Sequence, residues 1–520
     1  MTPWLTLVLL IPLAGAVVLQ LLPARASTAI KAITIAATAA PAVIVGGLIV
    51  HLDRSLTSAG PLVLQYDERH DWIPAIGASY HIGVDGVSSW FLALNAGLFL
   101  VAALFIAGQD LRRLKFFCSL LLITDTATTG VLTAADLLLF YFFWEAMLIP
   151  LYLILGNYGG EQRGRATLKF IIYTVAGSLL MLVAIIYEYF QAGRATFDLQ
   201  ALVVNPPLDT QHLGILGITF LSPAQLAFLA FALAFAIKLP LVPFHTWLPD
   251  LYESAPPVVL VFFAGLVSKL GAYGLIRYAM TLFPGPVHDF QWLLAALAVL
   301  SIIYGAMLAL SETDIKRIVA YASISHLGFI ALGIFSLNPT GINGAVIQVV
   351  NHGIIIVALF LVVGVIESRT GTRDRHELSG LESRMPWLYA FFLIITLAAL
   401  GLPGMNTFVG EFTIMLGAFQ SAWILAVLAG VGVVLACWYM LRLHQGLMHD
   451  PPGERTRGVG DLRVREGLVL APLVALMVFL GVFPRPLGDV TKSSANEYSA
   501  VAGGALTAPS SAPPTPAPSP

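Results

Sequence analysis

Apolar residues in this chain fall in long runs separated by short polar clusters. A run of about 20 apolar residues crosses a bilayer core as a helix, because a helix satisfies its own backbone groups there. Such runs predict helices near 3–22, 29–50, 85–107, 115–133, 135–156, 166–190, 222–240, 258–280, 290–310, 316–336, 341–366, 387–416, 421–444 and 467–484. The run at 222–240 continues past a proline-rich step to 253. The expected fold is an all-α polytopic membrane protein with about fourteen transmembrane helices.

Composition supports the pattern. Of 520 residues, 58% are hydrophobic and 11% are charged, where a soluble protein carries roughly a quarter charged residues. A soluble globule is excluded. The net charge of -2 carries no basic excess for nucleic acid. Cys118 and Cys437 lie in separate apolar runs without Cys-x-x-Cys spacing, so they read as packing residues rather than cluster, haem or disulfide ligands. Met1 to Leu22 has no basic n-region, and its apolar run is longer than a signal core, so it is expected to be the first membrane helix. From Ala505 to Pro520 the chain is Pro, Ala, Ser and Thr with one large apolar residue, Leu506, which predicts a disordered tail.

Lys and Arg are retained on the cytoplasmic side of a membrane. The odd-numbered connections and their flanking turns hold 19 of the 27 basic residues. Even-numbered connections hold Arg54, Arg69, Arg194 and Arg277, and the C-terminal segment holds Arg485 and Lys492. Odd loops are thus expected inside and both termini outside. Lys238 and Lys269 remain, and both fall within apolar helices.

An ionisable group at bilayer depth costs at least ~2.5–3.5 kcal/mol, so it faces protein or water and suggests function. Asp125, Glu145, Lys238, Lys269, His326, His352 and Glu411 form such a series over seven helices. Glu145 and Lys238 are the natural pair, either as a static ion pair or as a proton switch whose two states are set by burial and by each other's charge. His245, His326 and His352 are either satisfied structural histidines or proton links. His326 and His352 also permit a bis-histidine haem, which an interior shared with acids and lysines disfavours.

Pro240 and Pro243 follow Lys238 in KLPLVPFHTWLP (238–249) and remove the usual donors to the carbonyls of Ala236 and Leu239, so the helix should break there. A second break is expected at Pro403, between Gly401 and Gly404 and before Glu411. Such breaks mark ion pathways near the midplane, although ordinary kinks have the same sequence signature. Each break lies in the fourth helix of a five-helix block, and an odd helix number gives the two blocks opposite orientation. The expected organisation is three helices and an external loop (1–107), a first five-helix repeat (108–281), a second, inverted repeat (282–447), a C-terminal helix (448–497) and a disordered tail (498–520).

WEAMLIPLYLILGNYGG (144–160), KLPLVPFHTWLPDLYESAP (238–256), KRIVAYASISHLGF (316–329) and LPGMNTFVGEF (402–412) together resemble the antiporter-like membrane subunits of respiratory complex I, over roughly residues 65–485. The WE-x-MLIP motif, a glutamate on the second broken helix and DWIPAIGASYHIGVDGVS (71–88) are most similar to the subunit M, or chain 4, family. The resemblance implies two inverted five-helix repeats and a proton channel driven by quinone reduction elsewhere in the complex. It implies that Glu145 partners Lys238, that Lys269 relays towards the centre, that His326 and His352 continue the axis, and that Glu411 ends the second half-channel. Asp136 matches an acidic family position. No cofactor or metal site is expected on this chain; NADH, FMN, iron–sulfur clusters and quinone would belong to other subunits. The implied partners are other complex I membrane subunits, especially neighbouring antiporter-like subunits and a lateral helix from one of them, in a bacterial-type inner (plasma) membrane.

The chain departs from the family pattern at Asp125, at Pro256-Pro257-Val258 and at Asn157-Tyr158. Competing readings are a cation/proton antiporter subunit, a hydrogenase- or ferredoxin-linked complex with the same membrane module, and a purely structural subunit.

Overall fold

The computed structural model describes residues 3–53, 62–204, 214–215, 218–219 and 221–503. Arg54 and the expected tail from Ala505 lie outside the described residues. The chain begins with α1 (Trp4–Leu21) and α2 (Ser27–Val50), then a hairpin of β1 (Gln65–Ile73) and β2 (Ala78–Val84). There follow α3 (Gly86–Ala107), α4 (Leu114–Thr133), α5 (Leu137–Ala146), α6 (Leu148–Tyr158), α7 (Arg163–Gln191) and α8 (Leu199–Val204). The first broken region comprises α9 (Pro223–Lys238), α10 (Trp247–Ser254), α11 (Pro257–Phe263), α12 (Leu270–Gly274), α13 (Met280–Leu282) and α14 (Pro284–Asp289). The remainder is α15 (Gln291–Ser311), α16 (Ile315–Phe335), α17 (Pro339–Thr370), α18 (Pro386–Ala399), α19 (Asn406–Ser421), α20 (Trp423–Met448), α21 (Val464–Val482) and α22 (Arg485–Ala502).

Among the described residues twelve helical segments are long and apolar enough to cross a membrane, and two shorter apolar helices, α9 and α18, end at the proline breaks. Each predicted run falls on one helix or on helices flanking an interruption. Small residues bring the helices close, as a transmembrane bundle requires. A Cβ on Gly328 of α16 would sit 2.8 Å from the Ile302 nitrogen of α15, so these two backbones touch.

Two elements differ from the sequence expectation. The loop before α3, expected outside, is a β-hairpin, pairing Glu68 with Ile82 and His70 with Tyr80. It ties three helix ends together: Glu68 accepts from the backbone of Leu5 at 2.8 Å, Ile82 bridges to Ala134, and Ser79 donates from its backbone to Asp136 at 2.9 Å. Residues 498–502, assigned to the disordered tail, instead end α22. That helix buries Leu487, Val490, Thr491, Ser494, Tyr498 and Val501 on one stripe against α3 and α17. It lies on the bundle without a span's hydrophobicity, and a search for apolar runs passes over it.

The two remaining family departures have local explanations. Pro257 is the first residue of α11, where a missing N–H costs nothing, and it packs against Gly364. Tyr158 donates to the Arg113 carbonyl at 3.0 Å and sets its ring edge-on to Phe117.

Candidate functional site

The first break is built by its prolines. With Pro240 unable to donate, the Ala236 carbonyl accepts from Leu241 N–H at 2.9 Å, and Leu241 in turn accepts from Phe244 N–H. The Ile237 carbonyl accepts from the Trp247 indole, and Val242 N–H donates to Ser301 Oγ, both at 2.9 Å. The second break repeats the pattern: Leu402 N–H donates to the Leu397 carbonyl and Leu402 accepts from Met405 N–H. Leu241 and Leu402 are therefore equivalent by hydrogen bonding, although the Leu-Pro steps read from sequence start at Leu239 and Leu402. Gly401 (φ 75) and Gly404 (φ 93) supply the left-handed turns of the second break.

Lys238 closes α9 at the first break and is fully buried. Its Nζ has no hydrogen-bond partner and lies 5.3 Å from the ring centroids of both Trp144 and Phe170. Among the described residues no carboxylate is within 4.0 Å of it, so the expected pair with Glu145 is not a direct salt bridge; the Glu145 carboxylate acts on it through space. Glu145 is half-buried and lines an apolar lateral groove with Tyr141, Phe142 and Tyr152.

The Lys269 helix is also interrupted, which no proline announced. α11 stops at Phe263, Leu266 leaves helical geometry (φ -132), and a 3-10 turn carries Val267–Lys269. Lys269 donates from Nζ to the freed Ala264 carbonyl at 2.7 Å. The only local signal is Gly265, where a Cβ would meet the Val261 carbonyl and Leu98. Beyond α12, residues Leu275–Ala279 form a π-helical turn.

The groups of the second half converge. His326 Nδ1 lies 2.6 Å from Glu411 Oε1, and the ring centroids of His326 and His352 are 5.4 Å apart. Gln348 donates to the same Glu411 oxygen at 3.2 Å, and Tyr439 Oη is 3.4 Å from His326 Nε2. Both nitrogens of His352 are buried and unpartnered, and the charge of Lys269 reaches it. Gln348 and Tyr439 were not singled out from the sequence. Gln348 is one helical turn before His352 and was legible as its neighbour on one face.

Other candidates take varied places. Asp136 caps α5, accepting from Leu138 and Leu139 N–H, while its other oxygen accepts from Ser79 N–H and Oγ. His245 sits inside the first break, edge-on to Tyr304, with Nδ1 unpartnered. Asp125 lies in α4 and accepts from Asn95 at 2.9 Å. Arg277, counted with the external loops, is instead buried in the π-turn and bonded to Asp85 at 2.9 Å. Glu188, missed in the sequence, is buried near the end of α7 with both carboxyl oxygens unpartnered.

Outside the spans, His81 is clasped between Asp198 (2.6 Å) and Asp67 (2.7 Å). Burial opposes its charge, but hydrogen bonds to the two carboxylates outweigh burial and raise its pKa to about 9. At the opposite end Arg317 bonds Glu253 and Glu312, and Arg373 bonds Glu253 and Asp314, joining α10 to the start of α16.

Residues 134–436 hold every site residue expected from the sequence except Asp125, and they match the model of the family described as NADH:quinone oxidoreductase/Mrp antiporter, TM. The chain belongs to that family. Within the NADH:quinone oxidoreductase/Mrp antiporter family it is 35% identical to NADH-quinone oxidoreductase subunit M of Mycobacterium tuberculosis (strain CDC 1551 / Oshkosh), over 99% of this chain and 97% of the relative. It is 37% identical to the subunit M of Rickettsia prowazekii (strain Madrid E), over 82% of this chain and 84% of that one. A chain of respiratory complex I from Thermus thermophilus with bound NADH superposes with a TM-score of 0.83 at 33% identity, covering 96% of this chain and 100% of that chain.

Proposed function

We propose that this chain is a membrane-arm subunit of an NADH-quinone oxidoreductase, a respiratory complex I, and that it moves protons while electrons pass from NADH to quinone on other subunits. The observation that carries the reading is the interior series Glu145, Lys238, Lys269, His352, His326 and Glu411, set on six helices, with breaks beside Lys238, beside Lys269 and before Glu411. Fourteen crossings in two inverted five-helix halves would place both termini outside a bacterial-type inner membrane. FMN, iron–sulfur clusters and quinone are assigned to other chains.

The helix breaks free backbone carbonyls and admit polar groups where an unbroken helix would seal the interior. Lys238 lies against two aromatic faces rather than in a salt bridge, so its charge responds to Glu145 without being locked to it. A unit charge moved at about 4 Å changes an energy by ~4 kcal/mol at an effective dielectric of 20, which is ample to drive one proton transfer. Charge passes from Lys238 to Lys269, then along His352 and His326 to Glu411, which exchanges its proton with the outside. Glu145 opens on an apolar groove at the edge of the chain, and a neighbouring antiporter-like subunit or its lateral helix would cover that groove. Purification tests the reading: co-isolation with flavin- and iron–sulfur-bearing chains supports it, and isolation with small membrane subunits alone, together with sodium-dependent proton exchange, contradicts it.

A further inference from the structure

Asp125 is a departure from the family pattern that the proton path does not use. It is 1% exposed in the middle of α4, the span Leu114–Thr133. Its Oδ1 accepts from Asn95 Nδ2 at 2.9 Å; Asn95 also donates to Thr129 Oγ at 3.1 Å and accepts from Thr128 Oγ at 2.8 Å. Its Oδ2 is buried with no partner. A buried carboxyl with one free oxygen is costly unless it carries a proton or meets a cation.

The fold sets that carboxyl level with Lys269. Asp85 bonds Arg277 and Ile82 bridges Ala134, so the start of α3, the end of α4 and the end of the Lys269 helix share one end of the bundle. Asn95 is ten residues in from Asp85, Asp125 nine from Ala134 and Lys269 eight from Arg277. At ~1.5 Å per residue all three lie about 12–15 Å from that end. α4 packs on both α3 and α12, and Tyr273, one turn from Lys269, donates to the Leu132 carbonyl of α4 at 2.7 Å. Leu94, beside Asn95, lies against Gly353, next to His352.

The relay is uneven at this depth. Glu145 acts on Lys238 through space and Glu411 bonds His326 at 2.6 Å, whereas Lys269 donates to a backbone carbonyl and, among the described residues, has no carboxylate within 4.0 Å and none acting on it through space. We propose that Asp125 is the protonatable counter-group of Lys269, reached through water, with Asn95 and Thr129 holding it in place. The ammonium of Lys269 gives a proton to the Asp125 carboxylate, leaving a neutral amine and a neutral acid, and the return transfer restores both charges. Lys269 thus loses its charge without its proton leaving the membrane interior, and a proton is held beside the relay between steps. The inference rests on the proton-relay reading of Lys269.

The test is Asp125→Asn in the assembled complex, since the amide oxygen still accepts from Asn95 but carries neither charge nor proton. Quinone reduction coupled to proton pumping should fall several-fold and recover with Asp125→Glu. The infrared difference spectrum on reduction should lose one carboxylic-acid band. Added to Lys269→Ala, Asp125→Asn should cause no further loss. Normal pumping and an unchanged carboxyl band in an assembled Asp125→Asn complex would overturn the proposal, as would full additivity with Lys269→Ala. If Lys269→Ala itself pumps normally, the relay reading fails first, which separates the two failures.

Discussion

Nδ1 of His326 lies 2.6 Å from Oε1 of Glu411, across the interface between α16 and α19. Tyr439 approaches the other ring nitrogen and Gln348 donates to the same carboxyl oxygen, so the pair is held from two further helices. A second imidazole, His352, stands next to it with both nitrogens free of partners. This contact joins the end of the interior series to the helix that follows the second break.

Glu411→Gln separates charge from shape, because the amide oxygen can still face His326. Coupled quinone reduction should fall by roughly tenfold, equivalent to about 1.4 kcal/mol, while the complex assembles normally. Enzymatic assay of membranes carrying equal amounts of complex checks this, and Glu411→Asp should recover part of the rate.

Ser301 receives Val242 N–H at 2.9 Å in the middle of the first break. Ser301→Ala leaves that donor buried and unpaired, at about 1–3 kcal/mol. Hydrogen exchange over residues 239–246 should speed up, and Ser301→Thr should hold it near the parent rate.

Gly401 has φ 75, and a Cβ there would stand 3.6 Å from Glu411 Oε2. Gly401→Ala should therefore cost about 1–2 kcal/mol, the left-handed penalty for an L residue, and lower activity with it. Gly430 in α20 is the control: nothing lies within 4 Å of its added Cβ, and Gly430→Ala should stabilise by about 0.5–1 kcal/mol. Thermal unfolding of the purified complex compares the two.

The hairpin clasp is pH-sensitive in one direction. His81 faces Asp198 and Asp67, with Arg69 3.4 Å from Asp198, and its pKa rises from 6.5 to about 9 in the folded chain. A raised folded value means the stabilisation is complete below pH 6.5 and is lost as pH climbs through 9, at most about 3 kcal/mol. Hydrogen exchange of residues 65–84 should accelerate between those limits, and His81→Ala should flatten the dependence.

The helical fold was legible because each span is an unbroken apolar run, and the prolines at 240, 243 and 403 marked two of the three breaks. The third, at Ala264 to Lys269, carries no proline: Gly265 fits it by allowing the close approach of Leu98 and the Val261 carbonyl, a tertiary fact. The β-hairpin and α22 went unread for another reason. Both are polar on one face and lie along the end of the bundle, so neither resembles a span. Glu145 and Lys238 were expected as a pair, but no direct salt bridge joins them, and nothing in the motif says that Trp144 and Phe170 flank the ammonium. Arg277 read as a loop cation because only the fold brings Asp85 to it.

The central claim is that the interior series conducts the protons whose movement is tied to quinone reduction. Proton pumping and quinone reduction measured together, in membrane vesicles holding the assembled complex with Lys238→Ala, test it most directly. The account predicts that both fall in parallel while the complex remains intact. Full pumping at the parent rate without the Lys238 ammonium would contradict it.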